Sequence, residues 1–251
     1  MRIHVLDGRP EIALAASAHA ARLLRQAIAA RGAARLVAAT GTSQLELLAA
    51  LGRERGIDWA EVELFHLDEY LGLPIDHPAS FSRYVRDRIV EPLGIRRFHL
   101  LQGGGGATVI RDAAAALVAA PIDLTFAGIG ENGHLAFNDP PADFETEAPY
   151  LVVTLDKASR AQQVGEGWFP DIADVPAAAI TMSIRQILKS REIICLAPDE
   201  RKAVAVRDCF SAGVTESAPA SALQRHALAT LYLDHASSAL LETSVMDRFR
   251  A

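Results

Sequence analysis

Phe65-His66-Leu67-Asp68-Glu69-Tyr70-Leu71-Gly72-Leu73 and, further on, Gly128-Ile129-Gly130-Glu131-Asn132-Gly133-His134-Leu135-Ala136-Phe137-Asn138-Asp139-Pro140 are two runs that leave a strand and stop abruptly at polar groups. Working outward, strand patterns are expected at 2–6, 36–39, 62–67, 98–101, 122–127, 150–154, 191–196 and 229–233. Helix patterns are expected at 10–31, 43–55, 80–91, 108–119, 156–165, 182–189 and 199–210, with Gly32 as a stop signal and Ser80 as a cap. Strands separated by helices imply an α/β fold with a doubly wound, mostly parallel sheet and helices on both faces. Ligands in such sheets bind beyond the carboxyl ends of the strands. The polar clusters after residues 39, 67 and 127 all fall at such ends.

The chain has 251 residues, half of them apolar, which suits one domain spanning 1–251 with a large core. Net charge is −6 with both signs interspersed, and no basic stripe marks a nucleic-acid partner. Met1 to Leu6 reads as a strand and lacks a signal peptide's apolar length, and no window reaches a membrane-spanning length, so a soluble cytoplasmic protein is expected. Cys195 and Cys209 do not form a disulfide framework; Cys195 sits in an apolar run and reads as core. Residues 140–182, with Pro140, Pro141, Pro149, Pro170 and Pro176, are a candidate lid, or else a rigid surface excursion.

Four groups of residues carry chemistry. In Thr40-Gly41-Thr42-Ser43 a strand ends, Gly41 permits a tight turn and hydroxyls open a helix, which suits either a phosphate or a plain cap. Asp68 and Glu69 point to opposite sides of an extended chain, so one of them enters the cleft. Asp68 shares its parity with His66, half of a metal site, but no second ligand pair matches and no metal is expected. His134 follows Gly128, Gly130 and Gly133, with Asn132 and Asp139 near enough in sequence to orient its ring. Those glycines satisfy the dinucleotide pattern literally, yet Pro140 and Pro141 interrupt the helix that should follow. Gly103 to Gly106 reads as a flexible surface loop. Lys202, early in a helix, is electrostatically misplaced unless an anion compensates it, and Arg160 lies beside the candidate lid; each alone also fits an ordinary solvated charge.

Together these residues resemble the glucosamine-6-phosphate deaminase (isomerase) family. The resemblance covers nearly the whole chain and is carried by Leu67-Asp68-Glu69-Tyr70, His77-Pro78-Ala79-Ser80-Phe81, Ile122 to Pro140, Asp156 to Arg160, Arg201-Lys202-Ala203 and Pro219 to Gln224. It implies a Rossmann-like fold, no cofactor and an amino-sugar 6-phosphate as small-molecule partner, isomerised and deaminated to a ketose phosphate and ammonia. Carried over by position, Asp68 would move a proton between C2 and C1, His134 would open the sugar ring, and Asn132 and Asp139 would assist it. Lys202 with Gly41, Thr42 and Ser43 would hold the phosphate, and Arg160 would contact substrate from the lid. The family has Glu where this chain has Asp139, and the shorter side chain is expected to draw its carboxylate back from His134. The related 6-phosphogluconolactonases share the glycine–histidine block, and a sugar-phosphate sensor on the same scaffold is a non-enzymatic alternative. Family members occur as monomers and as hexamers, which leaves a homo-oligomer open.

Overall fold

Ala34–Ala38 is buried at all five positions, as a strand covered on both faces must be. The computed structural model describes residues 1–249, and ten strands run through them in chain order. They are β1 (Arg2–Leu6), β2 (Ala34–Ala38), β3 (Val62–His66), β4 (Asp68–Tyr70), β5 (Arg97–His99), β6 (Leu124–Gly128), β7 (Tyr150–Thr154), β8 (Ala178–Met182), β9 (Glu192–Leu196) and β10 (Ala229–Asp234). Seven of them form one sheet in the order β1-β10-β9-β6-β2-β3-β5, with every neighbouring pair parallel. The chain winds outward one way through β2, β3 and β5, and the other way through β6, β9 and β10. The order therefore reverses between β2 and β6, and a crevice is expected at that switch point.

The helices that matter for the site are α1 (Arg9–Arg31), α2 (Leu45–Leu51), α3 (Phe81–Val85), α4 (Glu91–Leu93), α5 (Gly106–Val118), α6 (Lys157–Gly165), α7 (Ile184–Ile187) and α8 (Ala203–Phe210). Helix α1 ends where Gly32 takes a left-handed conformation and donates its N–H to Ile28 O. Ser80 caps α3, accepting from the Arg83 N–H. Thr42 and Ser43 do not cap in this way. They lie inside a 3₁₀ turn, Thr42–Gln44, whose preceding residue is Gly41, and no side chain caps it.

Two expectations need correction. Residues 150–154 form a strand, but not in the parallel sheet: β7 pairs antiparallel with β8, and β8 with β4, in a separate three-stranded sheet. Asp68 is therefore not the tail of β3 but the first residue of β4. Leu67 is the hinge between the sheets, donating to Ala38 O at 3.0 Å in one and accepting from the Met182 N–H at 2.9 Å in the other. Gly103 is likewise more than a loose loop residue. Its carbonyl accepts from the Gly72 N–H, and a Cβ there would meet Tyr70 O at 2.1 Å.

Two hydrophobic cores follow from the two sheets. The larger fills the space around the parallel sheet. The smaller packs Leu155, Phe169 and Ala179 of the 140–182 segment against Tyr70, Phe81 and Phe137. Tyr70 is its centre, with ring centroids 4.9 Å from Phe81, 5.3 Å from Phe137 and 5.2 Å from Phe169.

Candidate active site

The crevice at the switch point is a cavity bounded by five segments. The turn after β2 contributes Gly41, Thr42 and Ser43, the sheet junction contributes Asp68, and the loop after β6 contributes Gly130 and His134. The turn after β9 contributes Asp199 and Lys202, while Gln162 and Gln163 enter from α6 and Glu166 from its C-cap. Strands that are far apart in sequence end side by side, so residues 41–43, 68, 134 and 202 meet in one place.

Asp68 and Glu69 do diverge. Glu69 turns away from the cavity, where its carboxylate accepts from the N–H groups of Tyr70 (2.9 Å), Phe81 (3.2 Å) and Ser82 (2.6 Å) and from Ser80 Oγ (3.0 Å). Asp68 faces the cavity and is 8% exposed. Burial, with the Glu69 charge beside it, pushes the Asp68 carboxyl up to about 8. His66 is fully buried, with neither ring nitrogen partnered, and burial holds its imidazole neutral down to about 3. It does not line the cavity with Asp68.

His134 is set by its neighbours. Its Nδ1 lies 3.2 Å from Asp139 Oδ1, a close contact off the line of an ideal hydrogen bond. The shorter Asp side chain therefore still reaches the imidazole, contrary to the expected withdrawal. Asn132 ties the group together: its Oδ1 accepts from the His134 N–H at 3.1 Å, and its Nδ2 donates to Asp139 Oδ1 at 3.1 Å and Asp156 Oδ2 at 3.3 Å. Burial would raise the Asp139 carboxyl, but His134, the Asp156 N–H and Asn132 together hold it below its ordinary value. Gly130 lets the ring lie against the backbone, since a Cβ there would stand 2.2 Å from His134 Cε1. Asn132 and Asp139 stand behind His134 rather than on the cavity wall.

Lys202 also lines the cavity and is buried, and burial lowers its ammonium below the ordinary lysine value against the opposing fields of Glu166 and Glu131. Hydroxyl-bearing Thr42 and Ser43 line the same cavity. Ser43 Oγ accepts from Gln44 Nε2 at 3.0 Å, and the same amide donates to Ala127 O, which locks the turn to the end of β6. A buried cation and two hydroxyls lining one cavity suit an anionic group.

Arg160 is not brought to the cavity. Its guanidinium donates to Ile172 O at 2.6 Å and Val175 O at 3.0 Å, tying α6 to the chain that follows. The α6 residues that do line the cavity are ones the sequence did not single out. Glu166 accepts from Gln162 Nε2 at 2.7 Å, and Gln162 Oε1 accepts from the Glu131 N–H at 2.9 Å, linking α6 to the His134 loop. Gln163 accepts from Tyr70 Oη at 2.6 Å. Their spacing along one helix is the only sequence signal that would have found them. No group of three or more His, Cys, Asp and Glu able to hold a metal occurs among the described residues, and no helix there is long and apolar enough to cross a membrane.

Comparison with known proteins finds relatives over most of the chain. Residues 8–232 match the family model described as glucosamine-6-phosphate isomerases/6-phosphogluconolactonase. A glucosamine-6-phosphate deaminase of Exiguobacterium sibiricum is 34% identical over 215 residues, covering 85% of this chain and 83% of that protein. One of Bacillus cytotoxicus is 30% identical across 100% of this chain and 93% of its own. Among solved structures, a monomeric glucosamine-6-phosphate deaminase superposes with a TM-score of 0.87 at 29% identity, covering 96% of this chain and all of that one. A 6-phosphogluconolactonase from Shewanella baltica, at 23% identity and a TM-score of 0.76, shares the fold over 93% of this chain and 97% of its own. The chain belongs to the glucosamine-6-phosphate isomerase/6-phosphogluconolactonase family.

Proposed function

We propose that the chain is a glucosamine-6-phosphate deaminase, converting an amino-sugar 6-phosphate and water to a ketose 6-phosphate and ammonia. The observation that carries this is one cavity lined by Asp68, His134, Lys202, Thr42 and Ser43 together. The phosphate sits against Lys202 and the two hydroxyls. His134, steadied by Asp139 and Asn132, moves the proton that opens the pyranose ring to the free aldehyde. Asp68 then takes the proton from C2, made acidic by the adjacent carbonyl, and returns it to C1. The resulting C2 iminium is hydrolysed by water, which leaves the ketone and releases ammonia. Helix α6 acts as part of a lid, its Gln162–Glu131 link holding it over the bound sugar.

A carboxylate at the deprotonation point is what separates this chemistry from simple lactone hydrolysis, which needs only an activated water. The decisive assay follows ammonia and ketose phosphate released from glucosamine 6-phosphate by the purified protein. Release of both is expected. No release from any of the gluco, galacto and manno amino-sugar 6-phosphates, or hydrolysis of 6-phosphogluconolactone instead, would overturn the proposal.

A further inference from the structure

Arg9 opens the 23-residue helix α1, where the helix dipole disfavours a positive charge. It is nonetheless fully engaged there. Its Nη1 donates to Asp199 Oδ2 at 2.6 Å, its Nη2 donates to Thr42 O at 2.8 Å, and its Nε lies 3.6 Å from Glu46 Oε1. Thr42 belongs to the turn after β2 and Asp199 to the turn after β9. One guanidinium therefore spans the two turns that bring Thr42, Ser43 and Lys202 to the cavity.

Asp199 is the second half of the observation. Its φ of 82° and ψ of 146° lie in a region that only glycine enters freely. A side chain at this position must be held by its surroundings, and three contacts hold it. Its carboxylate takes the Arg9 bond, its N–H donates to Asp234 Oδ2 at 2.9 Å, and its carbonyl accepts from the Lys202 N–H at 2.9 Å. The last contact passes the geometry of Asp199 directly to Lys202.

We infer that Arg9 and Asp199 form a positioning clamp that fixes the spacing between the two halves of the phosphate site, Thr42–Ser43 on one side and Lys202 on the other. Neither residue is assigned to the chemistry; each acts through the groups it holds. The clamp deepens the function proposed above and rests on it, because it matters only if this side of the cavity receives phosphate.

The test uses the full chain and two probes, inorganic phosphate binding by calorimetry and steady-state kinetics with glucosamine 6-phosphate. If the wild-type protein binds neither phosphate nor the sugar phosphate, the site assignment fails before the clamp is at issue. Given wild-type binding, Arg9→Ala is expected to weaken phosphate binding and raise KM about tenfold, with kcat within about threefold, as a misplaced binding group does. Asp199→Gly relieves the backbone and removes the carboxylate, so it separates two roles. A matching loss of phosphate affinity, no greater in the Arg9→Ala/Asp199→Gly double variant, supports the clamp. Wild-type phosphate affinity in Asp199→Gly, or a fall in kcat with KM unchanged, overturns it. Arg9→Lys and Asp199→Asn read the same comparison should either truncation fail to fold, with partial retention of affinity expected for Arg9→Lys and its absence of effect counting against the clamp.

Discussion

Asp68 and Glu69 share a peptide bond, yet one opens onto the cavity while the other is consumed by four hydrogen bonds on the far side of β4. Adjacent carboxylates thereby receive opposite duties. Glu69 anchors the start of α3 against the small sheet. Asp68 keeps a free carboxyl whose proton is held unusually tightly by burial and by the Glu69 charge.

That tight proton predicts the pH dependence. A base must be ionised, and ionisation of Asp68 rises with pH, so kcat/KM should climb with pH along an acid limb whose midpoint lies near 8 rather than near the ordinary 3.8. A pH–rate profile with its limb near 4 would show that Asp68 is not the limiting group. The stability effect has the opposite sign. The folded state keeps a proton that the unfolded state has lost between these two values, so stability should fall as pH rises through that window. Asp68→Asn should abolish turnover, retain phosphate-ester binding and flatten this decline, so that the variant melts above the wild type at pH 9.

Glu69→Ala should destabilise the fold by about 3 kcal/mol, because several buried donors lose their acceptor at once. Urea denaturation measures the loss. Glu69→Gln, which can still accept, should cost less. Equal stability of wild type and the alanine variant would mean that water replaces the carboxylate without penalty.

The contact between His134 Nδ1 and Asp139 Oδ1 makes Asp139 a steadying charge for the imidazole. Asp139→Asn should lower kcat about 10²-fold while altering KM little. Asp139→Glu should also lower activity, since an added methylene presses into a contact already made at 3.2 Å. A gain on Asp139→Glu would mean that the shorter side chain is a handicap in this chain. The Asp139 carboxyl is held below its ordinary range, so its stabilising contribution should persist at neutral pH and disappear only as acid titrates it.

Gly130→Ala should remove activity almost completely, because the new methyl would occupy the place of the His134 ring. A loss of about 10²-fold or more in kcat is expected from displacing an acid–base group. The check is kcat together with thermal melting, which separates a displaced ring from an unfolded protein. Near-normal turnover would mean that His134 acts from another rotamer.

Much of the parallel sheet could be read in advance because its strands carry their burial in their own side chains. Leu36-Val37-Ala38 and Ile193-Ile194-Cys195-Leu196 are apolar on both faces, which, at strand length between helical patterns, marks a strand covered on both sides. Ala178–Met182 gives no comparable local signal. It becomes β8 through pairing with Asp68–Tyr70, more than a hundred residues upstream, and with Tyr150–Thr154. Strand identity there resides in the partners rather than in the segment. Arg160 shows the same limit from the other side: the family resemblance implied a substrate contact, while the carbonyls of Ile172 and Val175 claimed its guanidinium.

Lys202 gained its phosphate role only from the family resemblance, while residue type and chain order were enough to nominate Asp68 and His134, since a carboxylate and an imidazole after strand-like runs are local facts about the polypeptide. What no stretch of it encodes is distance. The 3.2 Å between His134 and Asp139, the diversion of Asp68 into a second sheet, and the guanidinium of Arg9 bridging residues 42 and 199 all arise when remote segments are packed together. Local propensities act over a few residues, whereas these separations are set by how β2, β6 and β9 lie beside one another in the folded chain.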